Sequence, residues 1–221
     1  MSLSNIEFID YMKVMFKAHG SDWDEIIQLL PKPNHRFMAL AHFYYFICRY
    51  PNKREKEIRE ELQLVGVISI IEALMSEIDY LGVFEYFKST YPGANSIEDM
   101  GKFRKEYLEK FGASKKVREY FKKYISEGKE EVENFGIEII NKDKTGSCPL
   151  KRISQIADFF YDMRSNFVHN ARMSYLRPPN ASLTLTYVNE KSYIVKISIE
   201  SFLKIFERSF VRCYKEKAGI L

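Results

Sequence analysis

The chain has few residues that would constrain its fold through covalent links or turns. Its 221 residues include three cysteines, seven prolines, ten glycines and one tryptophan. Cys48, Cys148 and Cys213 are odd in number, far apart, and form no C-x-x-C pair. That spacing argues against a disulfide framework and a zinc site, and makes a reducing cytoplasm the expected compartment. No basic segment followed by an apolar core opens the chain, so no secretory signal is expected. The most apolar run, Leu64 to Leu74, is interrupted by Gly66 and Glu72 and is too short to span a bilayer. No membrane partner is therefore expected. His35 and His42 share a helix face but lack further ligands at metal-binding spacing, and Lys144-Thr145-Gly146-Ser147 lacks the glycine and lysine pattern of a phosphate loop. No metal and no cofactor is expected. Paired carboxylates such as Glu130 and Glu131 read as helix-surface charges, and no internal repeat or low-complexity segment is visible.

What is present is an ordinary globular composition, 46% apolar and 29% charged, which argues against disorder. A chain of this length buries roughly 70% of its unfolded surface, and we read 1–221 as a single domain. Aromatics are abundant, with 17 Phe and 15 Tyr. With so little Gly and Pro, they point to helices packed through large side chains. The net charge of +4 is mildly basic, which permits an anionic partner without requiring one.

Helical periodicity runs through the first part, about 4–141. An opening amphipathic segment stops at Gly20, and Ser21 reads as the cap of the next helix, with Asp22, Asp24 and Glu25 in its first turn. The longest helical stretch runs from about Arg54 to Phe87, with Val67, Ile70, Ile71, Leu74, Ile78 and Leu81 at helical spacing. Tyr91-Pro92-Gly93-Ala94-Asn95 breaks the pattern, and two basic helices follow at about 96–110 and 114–126. An acidic segment lies around Glu130, Glu131 and Glu133, and Asn141 to Pro149 reads as a loop. The second part, about 149–221, begins with a helix from about Leu150 to Tyr175. Beyond Pro178-Pro179 the period changes to 2: Leu183, Leu185 and Tyr187 alternate with threonines, and Tyr193, Val195 and Ile197 with polar residues. Asn189-Glu190-Lys191 between them is a hairpin turn candidate. A closing helix starts near Ser198. The expected fold is mainly α, a helical bundle with one small C-terminal β-hairpin before that helix.

One helix carries a candidate for chemistry. Ile153, Ile156, Phe160, Met163, Phe167 and Ala171 form an apolar stripe. At 100° per residue, Asp162, Ser165, Asn166, His169 and Met173 fall on the other side, and Arg164 lies at the stripe's edge. An arginine there is unusual, because a desolvated guanidinium needs partners. Arg164-Ser165-Asn166-Phe167-Val168-His169, preceded by aromatics in Phe159-Phe160-Tyr161-Asp162-Met163, resembles the R-x(4–6)-H signature of the HEPN superfamily. The resemblance covers about Ile153 to Arg172. It implies Arg164 and His169 as catalytic residues of a metal-independent ribonuclease, with Ser165 and Asn166 as supporting polar neighbours. It also implies a homodimer, and a setting in toxin, abortive-infection or antiviral systems; a cognate antitoxin is a candidate protein partner, above all for a non-catalytic member.

The chemistry is coherent with those residue types. Cleaving RNA through its own 2′-hydroxyl needs a base for that proton and an acid for the 5′-oxygen, and histidine serves in either role. Charge developing on the phosphorane needs a fixed cation, for which arginine offers a bidentate fork. Five residues separate Arg164 from His169, about 140° around the axis, so one helix alone does not aim both at one phosphate. Two copies across a twofold axis would. Further along, Lys102 to Tyr124 interleaves cations with Phe103, Tyr107, Phe111, Tyr120, Phe121 and Tyr124. Its aromatics read first as a core stripe, while Lys115, Lys116, Arg118, Lys122 and Lys123 are candidate contacts to an RNA backbone. Two other readings stand beside the nuclease: a non-catalytic HEPN-like module that binds a nucleotide or protein, and a helical interaction protein carrying the motif by chance.

Overall fold

The computed structural model describes residues 3–32, 34–49, 56–76, 89–90, 97–125, 135–141, 143, 145–170, 172, 176–178 and 180–221. The break in periodicity expected at Tyr91 to Asn95, the acidic segment around Glu130 to Glu133, and Ile78, Leu81, Ala171 and Met173 lie outside them. The described helices are α1 (Leu3–Ala18), α2 (Trp23–Leu29), α3 (His35–Arg49), α4 (Lys56–Leu74), α5 (Ile97–Phe111) and α6 (Ala113–Tyr120). A single π turn, Phe121–Ile125, continues α6. Strands β1 (Ile137–Ile140) and β2 (Ser147–Pro149) precede α7 (Ile153–Asn170), which carries the Arg164 motif; β3 (Thr184–Val188), β4 (Lys191–Val195) and α8 (Ile199–Lys217) complete the order. The fold is mainly α with a small antiparallel sheet before a closing helix, as the periodicity predicts.

The sheet is larger than the expected hairpin. Four strands pair in the order β2-β1-β4-β3, so the hairpin forms only half of it. The segment read as a loop, 141–149, contains β2. Both extra strands escape a periodicity reading for a physical reason. β1 is Ile-Glu-Ile-Ile, too short and too apolar to separate strand from helix. β2 ends in Pro149, which lacks a donor and is tolerated because β2 is an edge strand. Ser147 and Lys196 both donate to the Glu138 carboxylate across the strands, and those hydrogen bonds hold its pKa below the ordinary range.

The turn between β3 and β4 is tighter than predicted. Asn189 and Glu190 both adopt positive φ, 46° and 61°, and Val188 pairs with Lys191. This is a two-residue turn whose twist matches that of the strands. At the entry to β1, Gly136 has φ 55°, and a β-carbon there would lie 2.8 Å from Cβ of Lys196. The carbonyl of Gly136 accepts from the Lys196 N–H, so this glycine sets the approach of β1 to β4. Gly136→Ala is expected to cost about 1–2 kcal/mol from the left-handed backbone alone, before any steric displacement of Lys196. Urea denaturation of the two proteins checks it; equal midpoints would show that the strand entry relaxes freely.

A core of buried side chains extends in sequence from Phe8 to Tyr214. The closing helix supplies its axis. Phe202, Phe206, Phe210 and Tyr214 recur every four residues and are all buried. Tyr44 stacks on Phe210 with centroids 5.7 Å apart, and its hydroxyl donates to Glu207 at 2.8 Å. Tyr214 donates to the carbonyl of Phe37 at 2.6 Å, and the Tyr120 hydroxyl pairs with Ser209 at 3.0 Å. The many tyrosines thus bury their rings while keeping each of these hydroxyls hydrogen-bonded. Ser198 caps α8 by accepting from the Ser201 N–H.

Candidate functional site

Helix α7 lies between two packing surfaces. On one side Phe160 stacks on Phe202 of α8 with centroids 4.5 Å apart and also meets Phe121 and Phe135. On the other, Phe159 meets Tyr193 of β4 at 4.9 Å. A helix packed on two sides buries a wider arc than a single stripe. Its buried residues are accordingly Ile156, Ala157, Phe159, Phe160, Met163 and Asn166.

Two expectations change with that. Asn166, predicted on the polar side, is buried, while Phe167 is only half-buried. Asn166 accepts a hydrogen bond from the Asn170 side chain at 3.3 Å, and its carbonyl accepts from the Arg172 N–H. It therefore fastens the end of α7. Ser165 is half-buried and His169 is exposed in the last turn, where it forms no hydrogen bond or ion pair among the described residues.

Arg164 points toward α4, and the partner its position demands is Glu72. Nη2 of the guanidinium donates to Oε2 of the carboxylate at 3.2 Å, with side-chain exposures of 19% and 17%. Among the described residues the pair leaves two buried atoms without a hydrogen-bond partner, Nε of Arg164 and Oε1 of Glu72. Burial raises the Glu72 pKa above the ordinary carboxylate range, opposed by Arg164 and then Lys116. Lys116, half-buried on α6, donates to the Ser76 hydroxyl at 3.0 Å just beyond the end of α4. Tyr161, one turn before Arg164, has its hydroxyl pKa raised by burial and by the Glu72 carboxylate, with Arg164 opposing. Arg164, Glu72, Lys116, Ser76 and Tyr161 thus form one polar corner where α4, α6 and α7 meet.

The candidate backbone contacts divide into groups. Lys115, Arg118, Lys122 and Lys123 are exposed, whereas Lys116 belongs to the corner just described. Lys115 pairs with Glu119 at 3.5 Å, Arg118 with Asp158 on α7, and Lys123 with Glu216 on α8. Such surface pairs contribute little and exchange readily. A groove of about 680 Å³ runs beside them, lined by Lys105, Leu108, Gly112, Lys115, Arg118 and Tyr161 among others. Tyr161 links this groove to the Arg164 corner. A hollow of about 340 Å³ adjoins it and is lined by Ser114, Arg118, Asp158, Asp162, Lys191 and Tyr193 among others. There Asp158 accepts from Ser114 and Arg118, and burial raises the Asp162 pKa against a hydrogen bond from Asn189. The Asp162–Asn189 contact ties the hairpin turn to α7.

Glu72 is the member of this site that the motif alone does not reveal. A signal existed in the sequence: a carboxylate interrupting the most apolar run, and an arginine at the edge of an apolar stripe. Each lacked a partner within its own helix. Among the described residues no helix is long and apolar enough to cross a membrane, and no group of three metal-ligating side chains is gathered. Comparison with known proteins adds no name to this geometry: no protein-family model, no curated protein and no solved structure matches the chain.

Proposed function

We propose that the protein is a HEPN-like endoribonuclease that cleaves RNA by attack of the 2′-hydroxyl on the adjacent phosphate, without a metal ion. The observation that carries this reading is Arg164, a half-buried arginine held in place on the same helix that exposes His169. A fixed guanidinium is suited to stabilising a developing phosphorane, and an exposed imidazole is suited to exchanging protons with the ribose and the leaving oxygen. The basic groove that Tyr161 helps to line supports a single-stranded substrate, since backbone charge and an aromatic platform together bind unpaired strands. The two residues lie on different faces of α7, so the reading includes a homodimer in which Arg164 and His169 of two copies converge. A role in toxin, abortive-infection or antiviral defence, with an antitoxin partner, belongs to the same proposal.

The ion pair with Glu72 favours a second reading, in which Arg164 is a structural residue of a non-catalytic binding module. The experiment that separates the two is a time course on end-labelled RNA in EDTA. The nuclease reading expects cleavage leaving 2′,3′-cyclic phosphate ends, with single-stranded DNA intact because it lacks the nucleophile. Binding without turnover would sink it in favour of the second reading.

A further inference from the structure

The atoms left unsatisfied at the Arg164 corner point to an unfilled role for Glu72. Arg164 spends one nitrogen of its fork on Glu72, while the adjacent Nε is buried without a partner among the described residues. A carboxylate and a phosphodiester present similar oxygen pairs to a guanidinium, and arginine binds either through the same fork. Across the corner lies a second cation, Lys116, held 3.0 Å from Ser76. One acid faces two cations here, and one oxygen of that acid has no hydrogen-bond partner among the described residues.

We propose that Glu72 is a positioning residue for Arg164: in the free protein its carboxylate occupies the place of a substrate phosphate, and RNA engages Arg164 by exchanging with it. This rests on the nuclease reading for its substrate but on the Arg164–Glu72 pair for its geometry. Without Glu72 the guanidinium would be half-buried with no counter-ion. With Glu72 it is kept folded into the corner, and an incoming phosphate supplies both the displaced acceptor and a partner for Nε. The unpaired Glu72 carboxylate is then the weak point of the bound state, since it loses its main cation. Protonating it removes that cost. Arg164 and Tyr161 from α7 and Lys116 from α6 act on the Glu72 carboxyl, and burial already places its pKa above the ordinary range. Lower pH therefore favours the exchange: as Glu72 takes up its proton, its hold on Arg164 weakens and phosphate binding strengthens.

The test uses a 2′-O-methyl RNA oligonucleotide, which has no free 2′-hydroxyl, and full-length protein carrying His169→Ala so that the imidazole does not contribute to the pH profile. Fluorescence anisotropy at fixed salt gives affinity as pH is lowered. With Glu72 present, affinity is expected to rise on acidification. Glu72→Gln, which keeps the shape of the side chain, should bind about tenfold tighter at neutral pH, an ordinary size for coupling between competing ligands. Its affinity should also lose most of the pH dependence. Arg164→Ala should bind weakly whether or not Glu72 is changed. A folded Glu72→Gln protein that binds no tighter, or a flat pH profile with Glu72 present, overturns the proposal. Should Glu72→Gln fail to fold, the pH profile of the protein that retains Glu72 decides alone. Failure of the nuclease reading is distinguishable: the protein with His169 intact would leave ordinary RNA uncut while the oligonucleotide still showed the Glu72 exchange. No binding by any variant overturns the Glu72 proposal, while the cleavage time course decides the nuclease reading separately.

Discussion

His169→Ala is expected to lower RNA cleavage by about 10²–10⁴-fold, the usual contribution of a positioned acid or base, while leaving the unfolding midpoint where it is. The second half follows from the structure. His169 is exposed in the last turn of α7 and makes no hydrogen bond or ion pair among the described residues, so its removal takes nothing from the core. Arg164→Ala is expected to remove activity to a similar extent but at a cost in stability. It leaves Glu72 without its counter-ion in a half-buried corner, with Lys116 the remaining cation. Breaking a fully buried pair costs about 3–5 kcal/mol, and the cost here should fall below that because both side chains retain some contact with water. Arg164→Lys should keep part of the stability and little of the activity, since an ammonium supplies charge without the planar fork. Cleavage rates and denaturation midpoints for the three variants give a two-dimensional pattern. A His169→Ala protein that cuts RNA as fast as the unsubstituted one would place the chemistry elsewhere or in a contaminant.

The contrast between those two residues also explains what could be read before the structure. Periodicity shows that an element has two unlike faces, and it identifies the closing helix through Phe202, Phe206 and Phe210 and the inner face of β4 through Tyr193 and Val195, with Ile197 buried just beyond the strand. It does not report what lies opposite. On β3 the buried members are Thr186 and Val188, while Leu185 and Tyr187 point outward. On α7 a second packing partner, Tyr193, draws Phe159 and the flank toward Asn166 inward. The cap of α2 moved by one residue, from Ser21 to Asp22, because both types accept from the first turn and only backbone geometry chooses between them. Strands β1 and β2 carry too few residues to establish a period. The candidate site was legible to the same extent. Arg164 and His169 were visible as a spacing on one helix, but Glu72 is 92 positions away from Arg164, and only tertiary packing joins them. Of the lysines offered as backbone contacts, Lys115, Lys122 and Lys123 are exposed, yet Lys116 is half-buried and both Lys115 and Lys123 already pair with a carboxylate.

Phe160→Ala should be the most destabilising of these substitutions, because Phe160 fixes α7 against the rest of the core. Its ring is fully buried and contacts four others: Phe202 at 4.5 Å, Phe159 at 5.4 Å, Phe135 at 5.7 Å and Phe121 at 5.9 Å. Those neighbours come from α8, from α7 itself, from the segment before β1 and from the π turn after α6. Replacing a buried Phe by Ala typically costs about 3–5 kcal/mol, part from lost transfer energy and part from the cavity. The upper half of that range is expected here. Aromatic pairs add about 0.5–1.5 kcal/mol beyond their area, and rings held by four separate segments cannot all move in to fill the space. Phe160→Leu, which keeps most of the volume, should cost much less. A denaturant titration with unchanged slope would assign the loss to the folded state. The substitution lies one turn before Arg164, so at temperatures where the protein remains folded it should also loosen the Arg164–Glu72 pair. Cleavage should then fall more than the folded fraction alone accounts for. A loss below about 1 kcal/mol would mean that the four rings collapse onto the vacancy, and that α7 is positioned mainly by Phe159 and the sheet.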